Sequence, residues 1–151
     1  MNYQLAQINI AKLIAPITDP LISDFVGQLD MINALAEQSE GFVWRLKDDS
    51  NNATNINPFN DRLIIVNISV WESIEDLKNF VYKSHHIKVF ADRTKWFEKM
   101  QEAHLALWWI EEGKFPSAEE AKEKLLHLRK YGDSVNVFSF KNSIEKPLNS
   151  K

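Results

Sequence analysis

Asn67, Ser69 and Trp71 alternate along the stretch LIIVNISVWES, from Leu63 to Ser73. A period of two places all three on one face of a strand. An amide and a hydroxyl can grip a carbonyl or an oxyanion, and an indole offers a flat wall with one N–H donor. Gln7 and Asn9 alternate in the same way in YQLAQINIAKL. They can bond to Asn67 and Ser69 as a structural network, or face a ligand with them. His86 is a candidate acid–base group, because imidazole titrates near neutrality; the plain alternative is a surface histidine. His85 and His86 are adjacent and share no helix face, which argues against a chelating pair. Arg45 offers a planar fork for a carboxylate or enolate, and its plain alternative is an ion pair at an edge or a seam. Trp108 and Trp109 point to opposite sides of their strand. Trp108 is assigned to the Asn67 side because Leu105, Leu107 and Trp109 form the more apolar set. Ser69 has no assignable base, and no nucleophile-elbow motif is present.

The composition removes several classes of chemistry. The 151 residues contain no cysteine, so there is no disulfide framework, thiolate metal site or thiol nucleophile. The net charge is −3, and lysines and arginines are interspersed with acids, so no basic stripe for nucleic acid emerges. No apolar run approaches the roughly 20 residues of a membrane helix. The N-terminus lacks a signal-peptide pattern, and a cytoplasmic location is expected. Neither GxGxxG nor GxxxxGK[ST] occurs. Five tryptophans are unusual for a domain of this size.

The elements that must position these residues follow from periodicity. YQLAQINIAKL is a first strand. Asp19 and Pro20 open a helix with Leu21, Phe25, Leu29 and Ile32 at helical spacing, and Gly41 stops it. FVWRLKDD is a second strand with Phe42, Trp44 and Leu46 on one side. An Asn-rich loop, 48–61, precedes the third strand and has no assigned role. Ser73, with Asp76 three residues on, caps a second helix that breaks at KSHH; a further helical piece is expected to carry Trp96 and Phe97. HLALWWIEEG is a fourth strand. Ser117, Glu120 and Gly132 bound the helix SAEEAKEKLLHLRKYG. VNVFSF reads as a short last strand. Residues 1–140 form a single domain, and 141–151 a loose polar tail.

The order predicts an α+β fold, a ferredoxin-like βαββαβ protomer with an extra C-terminal helix and short strand. With the helices on one sheet face, the aliphatic set Ile64, Val66, Ile68 and Val70 belongs beneath them. The other face then carries Leu5, Gln7, Asn9, Leu63, Ile65, Asn67, Ser69, Trp71 and Trp108. It is too apolar for solvent and too polar for a dry core, which suits a cavity wall closed by a second copy.

Six segments carry a resemblance: YQLAQINIAKL, INALAEQSEGFVWRL, VNISVWES, FVYKSHH, TKWFE and HLALWWIEEGKFPSAEEA. Together they are similar to an uncharacterised bacterial family of the dimeric α+β barrel superfamily, related to antibiotic-biosynthesis monooxygenases. The resemblance spans nearly the whole chain. It implies that two protomers pair through their sheets into a barrel, and that His86 is the counterpart of a histidine two residues after a serine, here Ser84. It implies a homodimer that binds a small molecule and acts, if it is an enzyme, as a cofactor-independent monooxygenase or isomerase on an aromatic or polyketide-like compound. His86 and Asn67 would be catalytic. Gln7, Asn9, Arg45, Ser69, Trp71 and Trp108 would bind substrate, with no metal. The alternatives are a haem or haem-product binder with His86 or His104 as axial ligand, and a non-catalytic dimeric interaction module.

Overall fold

The structure, a computed structural model, describes residues 2–47, 57–83 and 96–147. Strand β1 (Tyr3–Leu13) is the spine of an antiparallel sheet. Along one side it pairs with β3 (Ile64–Trp71), which pairs in turn with β2 (Phe42–Arg45) at the edge. Along the other side lie β5 (Leu105–Glu111) and the two-residue β4 (Phe97–Glu98), end to end. The spatial order β2-β3-β1-β5 is that of the ferredoxin-like βαββαβ unit.

Helix α1 (Ser23–Gln38) is entered through a tight turn, Pro20–Ile22, where the Asp19 carboxylate accepts from the Leu21 N–H at 2.9 Å. Helix α2 (Ile74–Lys83) starts at Ser73, whose hydroxyl accepts from the Asp76 N–H at 3.1 Å. Helix α3 (Ala118–Tyr131) has Ser117 as its N-cap, accepting from the Glu120 N–H, and ends on Gly132 at φ +78°.

These helices divide between the two sheet faces, and the division reverses the expected facing. Ala6, Ile8, Ile10, Val66, Ile68, Val70, Ala106 and Trp108 lie beneath Ala121, Leu125 and Leu128 of α3. On the other face, Leu5, Trp71 and Leu107 pack with Ala36 of α1 and Leu77 of α2, while Leu13 and Ile65 pack with Phe25, Leu29 and Ile32 of α1. The aliphatic set is therefore covered by the C-terminal helix, and the Asn67 side by α1 and α2. The expectation put every helix on one face. A two-residue period shows which side chains share a face but not which helix covers it, and α3 is long and apolar enough to cover the second face over β1 and β5.

Other corrections are local. Trp96 and Phe97 form a turn and β4, with Trp96 packed against Phe25, instead of a helical piece. VNVFSF contributes one bridge, Leu107 to Phe138, and no strand. A bulge in β2 puts Trp44 opposite Val70 and Phe42 opposite Trp71, so these two aromatics occupy different faces. The tail as far as residue 147 is anchored: the Trp109 indole N–H donates to the Ile144 carbonyl at 2.8 Å, and the Lys146 ammonium to the Glu72 carbonyl at 3.0 Å.

Candidate functional site

The register of β1 against β3 builds the site. Along the α1/α2 face the opposed pairs run Leu5–Trp71, Gln7–Ser69, Asn9–Asn67 and Ala11–Ile65. Two polar pairs thus sit between two apolar ones. The Gln7 Nε2 donates to Asn67 Oδ1 at 2.6 Å and to Ser69 Oγ at 2.7 Å. The Asn9 Nδ2 donates to Gln7 Oε1 at 3.0 Å and to Asn67 Oδ1 at 3.4 Å. The Trp71 Nε1 donates to Ser69 Oγ at 2.8 Å. Gln7 is 1 % exposed and Ser69 5 %, so the row is buried along most of its length. Asn67, although on an inner strand, is exposed, so the helices leave an opening above it.

The network uses the side chains unequally. Ser69 Oγ accepts twice, leaving its own proton to donate. Asn67 Oδ1 also accepts twice, and among the described residues its Nδ2 makes no side-chain hydrogen bond. The chemical character of the opening is therefore an amide N–H donor, with the Asn9 amide beside it. The wall at one end is aromatic: Trp71 stacks on Phe80 with centroids 5.4 Å apart and meets Phe42 edge-on at 5.4 Å.

Arg45 stands opposite Ser69, on the same face as the row, and is 6 % exposed. Its guanidinium lies 3.4 Å from the Glu37 carboxylate of α1. It joins sheet to helix, as the ion-pair alternative anticipates, and it flanks the polar row. Trp108 is not part of the site. It pairs with Ala6 across β1 and β5 and is buried under α3, because Leu107 and Trp109 fall on the Gln7 side. His86 lies outside the described residues. His104, the other candidate axial ligand, has a pKa lowered by desolvation and by the Arg129 charge. Among the described residues no group of three His, Cys, Asp or Glu could hold a metal, and no helix is long and apolar enough to cross a membrane.

The structure brings Gln7, Asn9, Asn67, Ser69, Trp71 and Arg45 together. Sequence reasoning missed Glu37, Phe42 and Phe80. Phe80 was readable from its spacing on α2. Phe42 was hidden by the bulge, which no residue type signals.

The chain belongs to the DUF3291 family, a domain of unknown function, which matches residues 4–151. No curated protein matches it. Among solved structures it is similar to SnoaB, a cofactor-independent oxygenase from Streptomyces nogalater, at 11% identity and a TM-score of 0.45 over 74% of this chain and 94% of that one. It is similar also to a Pseudomonas aeruginosa protein, at 12% identity and a TM-score of 0.49 over 78% and 98%. A third is a protein of unknown function from Nitrosomonas europaea, at 11% identity and a TM-score of 0.47 over 77% and 97%.

Proposed function

We propose that the chain is a small-molecule-binding protein whose ligand enters between the sheet and the α1/α2 pair and lies over the row from Asn67 to Trp71. One observation carries this: an exposed amide in the middle of the sheet, continuous with a buried hydrogen-bonded row and flanked by apolar clusters at both ends. Stability alone would favour apolar side chains at these positions, since a buried polar row at best breaks even with the hydration it gives up. The ligand that fits is flat and largely apolar, with a carbonyl, phenol or enol oxygen to accept from Asn67 and the Trp71–Phe80 stack as its wall.

The chemistry that suits such a ligand is metal-free oxygenation or isomerisation through an enolate or phenolate. Asn67 would hold the oxyanion by its N–H, with His86 as the proton acceptor. In oxygenation, a ring methylene and dioxygen yield a ketone and water. Two copies of the chain would pair, each keeping its own site.

The test is titration of the parent, Asn67→Ala and Trp71→Phe with a hydroxylated anthrone. Binding is followed by quenching of tryptophan emission, and turnover by oxygen uptake. Asn67→Ala should still fold, with a lower melting temperature because Gln7 loses an acceptor, and bind about 5- to 100-fold more weakly, the range for one lost hydrogen bond. Binding that is absent in the parent, or equal in the parent and Asn67→Ala, would remove the proposed site.

A further inference from the structure

Asn33 lies in the interior of α1 and is 8 % exposed, while Asp30, Met31 and Ala34 around it face solvent. Its side chain is therefore turned toward the sheet. Residues three and four positions away share its side of the helix, and each marks a place along β3. Leu29 belongs to the cluster that takes in Ile65. Ala36 belongs to the cluster that takes in Trp71. The Glu37 carboxylate lies 3.4 Å from the Arg45 guanidinium, and Arg45 stands opposite Ser69. On this face of β3 the residues between Ile65 and Trp71 are Asn67 and Ser69. Asn33 is thus held over the polar row, on the helix wall across from the exposed Asn67.

Among the described residues the Asn33 amide has no hydrogen-bond partner. It differs from the Trp108 indole N–H, which is sealed off without a partner, in keeping a small accessible surface. The helix gains nothing from an amide at this position. Leucine has the same branching and a better helix propensity, and it would be buried with no polar group to satisfy. What the amide can serve is a group that enters the space over the row. Asn67 presents a donor there, because its oxygen already accepts twice. Asn33 presents a donor and an acceptor together, which matches a hydroxyl.

We infer, on the reading that a ligand lies over the row, that Asn33 is a specificity-determining contact and that the ligand is a flat hydroxyaryl ketone. Its two oxygens stand at opposite edges of the ring system. The carbonyl oxygen accepts from Asn67 on the sheet, and the hydroxyl bonds Asn33 on the helix. A ligand that lacks the hydroxyl leaves the Asn33 amide unmatched, which is how the site tells the two apart.

The experiment compares anthrone with the hydroxyanthrone whose hydroxyl is para to the carbonyl. Both are titrated without oxygen into the parent, Asn33→Leu, Asn33→Ala and Asn67→Ala, and followed by quenching of tryptophan emission. The parent should bind the hydroxyanthrone about fivefold or more tightly than anthrone, as for one hydrogen bond. In both Asn33 variants that ratio should fall toward unity. Leucine and alanine differ in volume, so a shared loss of preference reports the bond and not the shape. In Asn67→Ala both compounds should bind more weakly and the ratio should stay, because Asn67 meets the carbonyl end. If neither compound binds the parent, the site over the row is removed, and the Asn33 contact with it. A parent without preference, or a ratio unchanged in both Asn33 variants while Asn67→Ala still weakens both compounds, would overturn the Asn33 contact alone. So would a steep fall in melting temperature in both Asn33 variants without ligand, since the amide would then be holding the fold.

Discussion

Gln7 is the residue on which the polar row depends. Its two amide protons go to different acceptors and its oxygen takes a third bond from Asn9. Replacing it with leucine keeps the volume and removes the donors to Asn67 and Ser69. Gln7→Leu should cost about 1–3 kcal/mol, because Ser69 stays buried with a lost partner. Ser69→Ala should cost a similar amount by leaving the Trp71 indole N–H and a Gln7 proton unmatched. The two share one bond, so the double variant should be more stable than the sum of the singles predicts, by about 0.5 kcal/mol or more. Urea unfolding of the four proteins checks this, and strict additivity would mean that the row is not a coupled network. The membership of the row was legible in the sequence, since alternation alone groups Gln7 with Asn9 and Asn67 with Ser69 and Trp71. Its surroundings were not. Arg45 reaches this face only because the β2 bulge shifts its phase, and Trp108 leaves it because the β1–β5 register pairs Ala6 with Trp108.

At the scale of elements, caps and starts were legible wherever a side chain bonds its own neighbourhood. Asp19, Ser73 and Ser117 each accept from an N–H two or three residues on, a relation written in local sequence. Gly41 shows the opposite case. It reads as a helix stop, and its φ of +82° agrees, but a Cβ there would also lie 2.1 Å from the Asp76 carboxylate at the start of α2. Gly41→Ala should therefore cost more than the roughly 1 kcal/mol of an ordinary positive-φ substitution, read as a lower midpoint in thermal melting. Asp133 makes a second element-scale link. Its carboxylate accepts from the Asn142 amide and from the Ser139 hydroxyl and N–H, tying the end of α3 to the anchored tail. These bonds, that of Asn142 foremost, hold its pKa below the ordinary 3.8. A depressed carboxylate pKa stabilises the folded state above the unfolded value, and the contribution fades as pH falls through the folded one. The tail contact should thus be intact at neutral pH and loosen only below about pH 4. Trp109 emission, sensitive to loss of the Ile144 carbonyl from its indole, should change in that window and not in Asp133→Asn.

The whole molecule is three layers, with α1 and α2, the sheet, and α3 in succession, and this layering decides what a buried charge would disturb. Val66 is 6 % exposed beneath α3, so Val66→Asp should unfold the protein, although the helix that covers it is not the expected one. Ile65 and Ser69 lie under α1 and α2, so a lysine at either should lower the stability of the protomer by several kcal/mol, whatever its state of assembly. A charge that tests pairing must go elsewhere. Because α3 shields the aliphatic face over β1 and β5, a second copy can approach that face most closely toward β2. There Val43, Trp44 and Leu46 are only half-buried, and Phe115, stacked on Trp44 at 4.9 Å, is 44 % exposed. A stable pair needs an apolar centre of this kind within a contact of about 1,200 Å² or more. The proposed homodimer should then sediment as a dimer at micromolar concentration in the parent and as a folded monomer in Phe115→Asp, whose melting temperature falls only by what pairing adds to the parent, because Phe115 lies outside the core. A parent that sediments as a monomer would end the pairing proposal. A dimer that survives Phe115→Asp would move the seam away from β2.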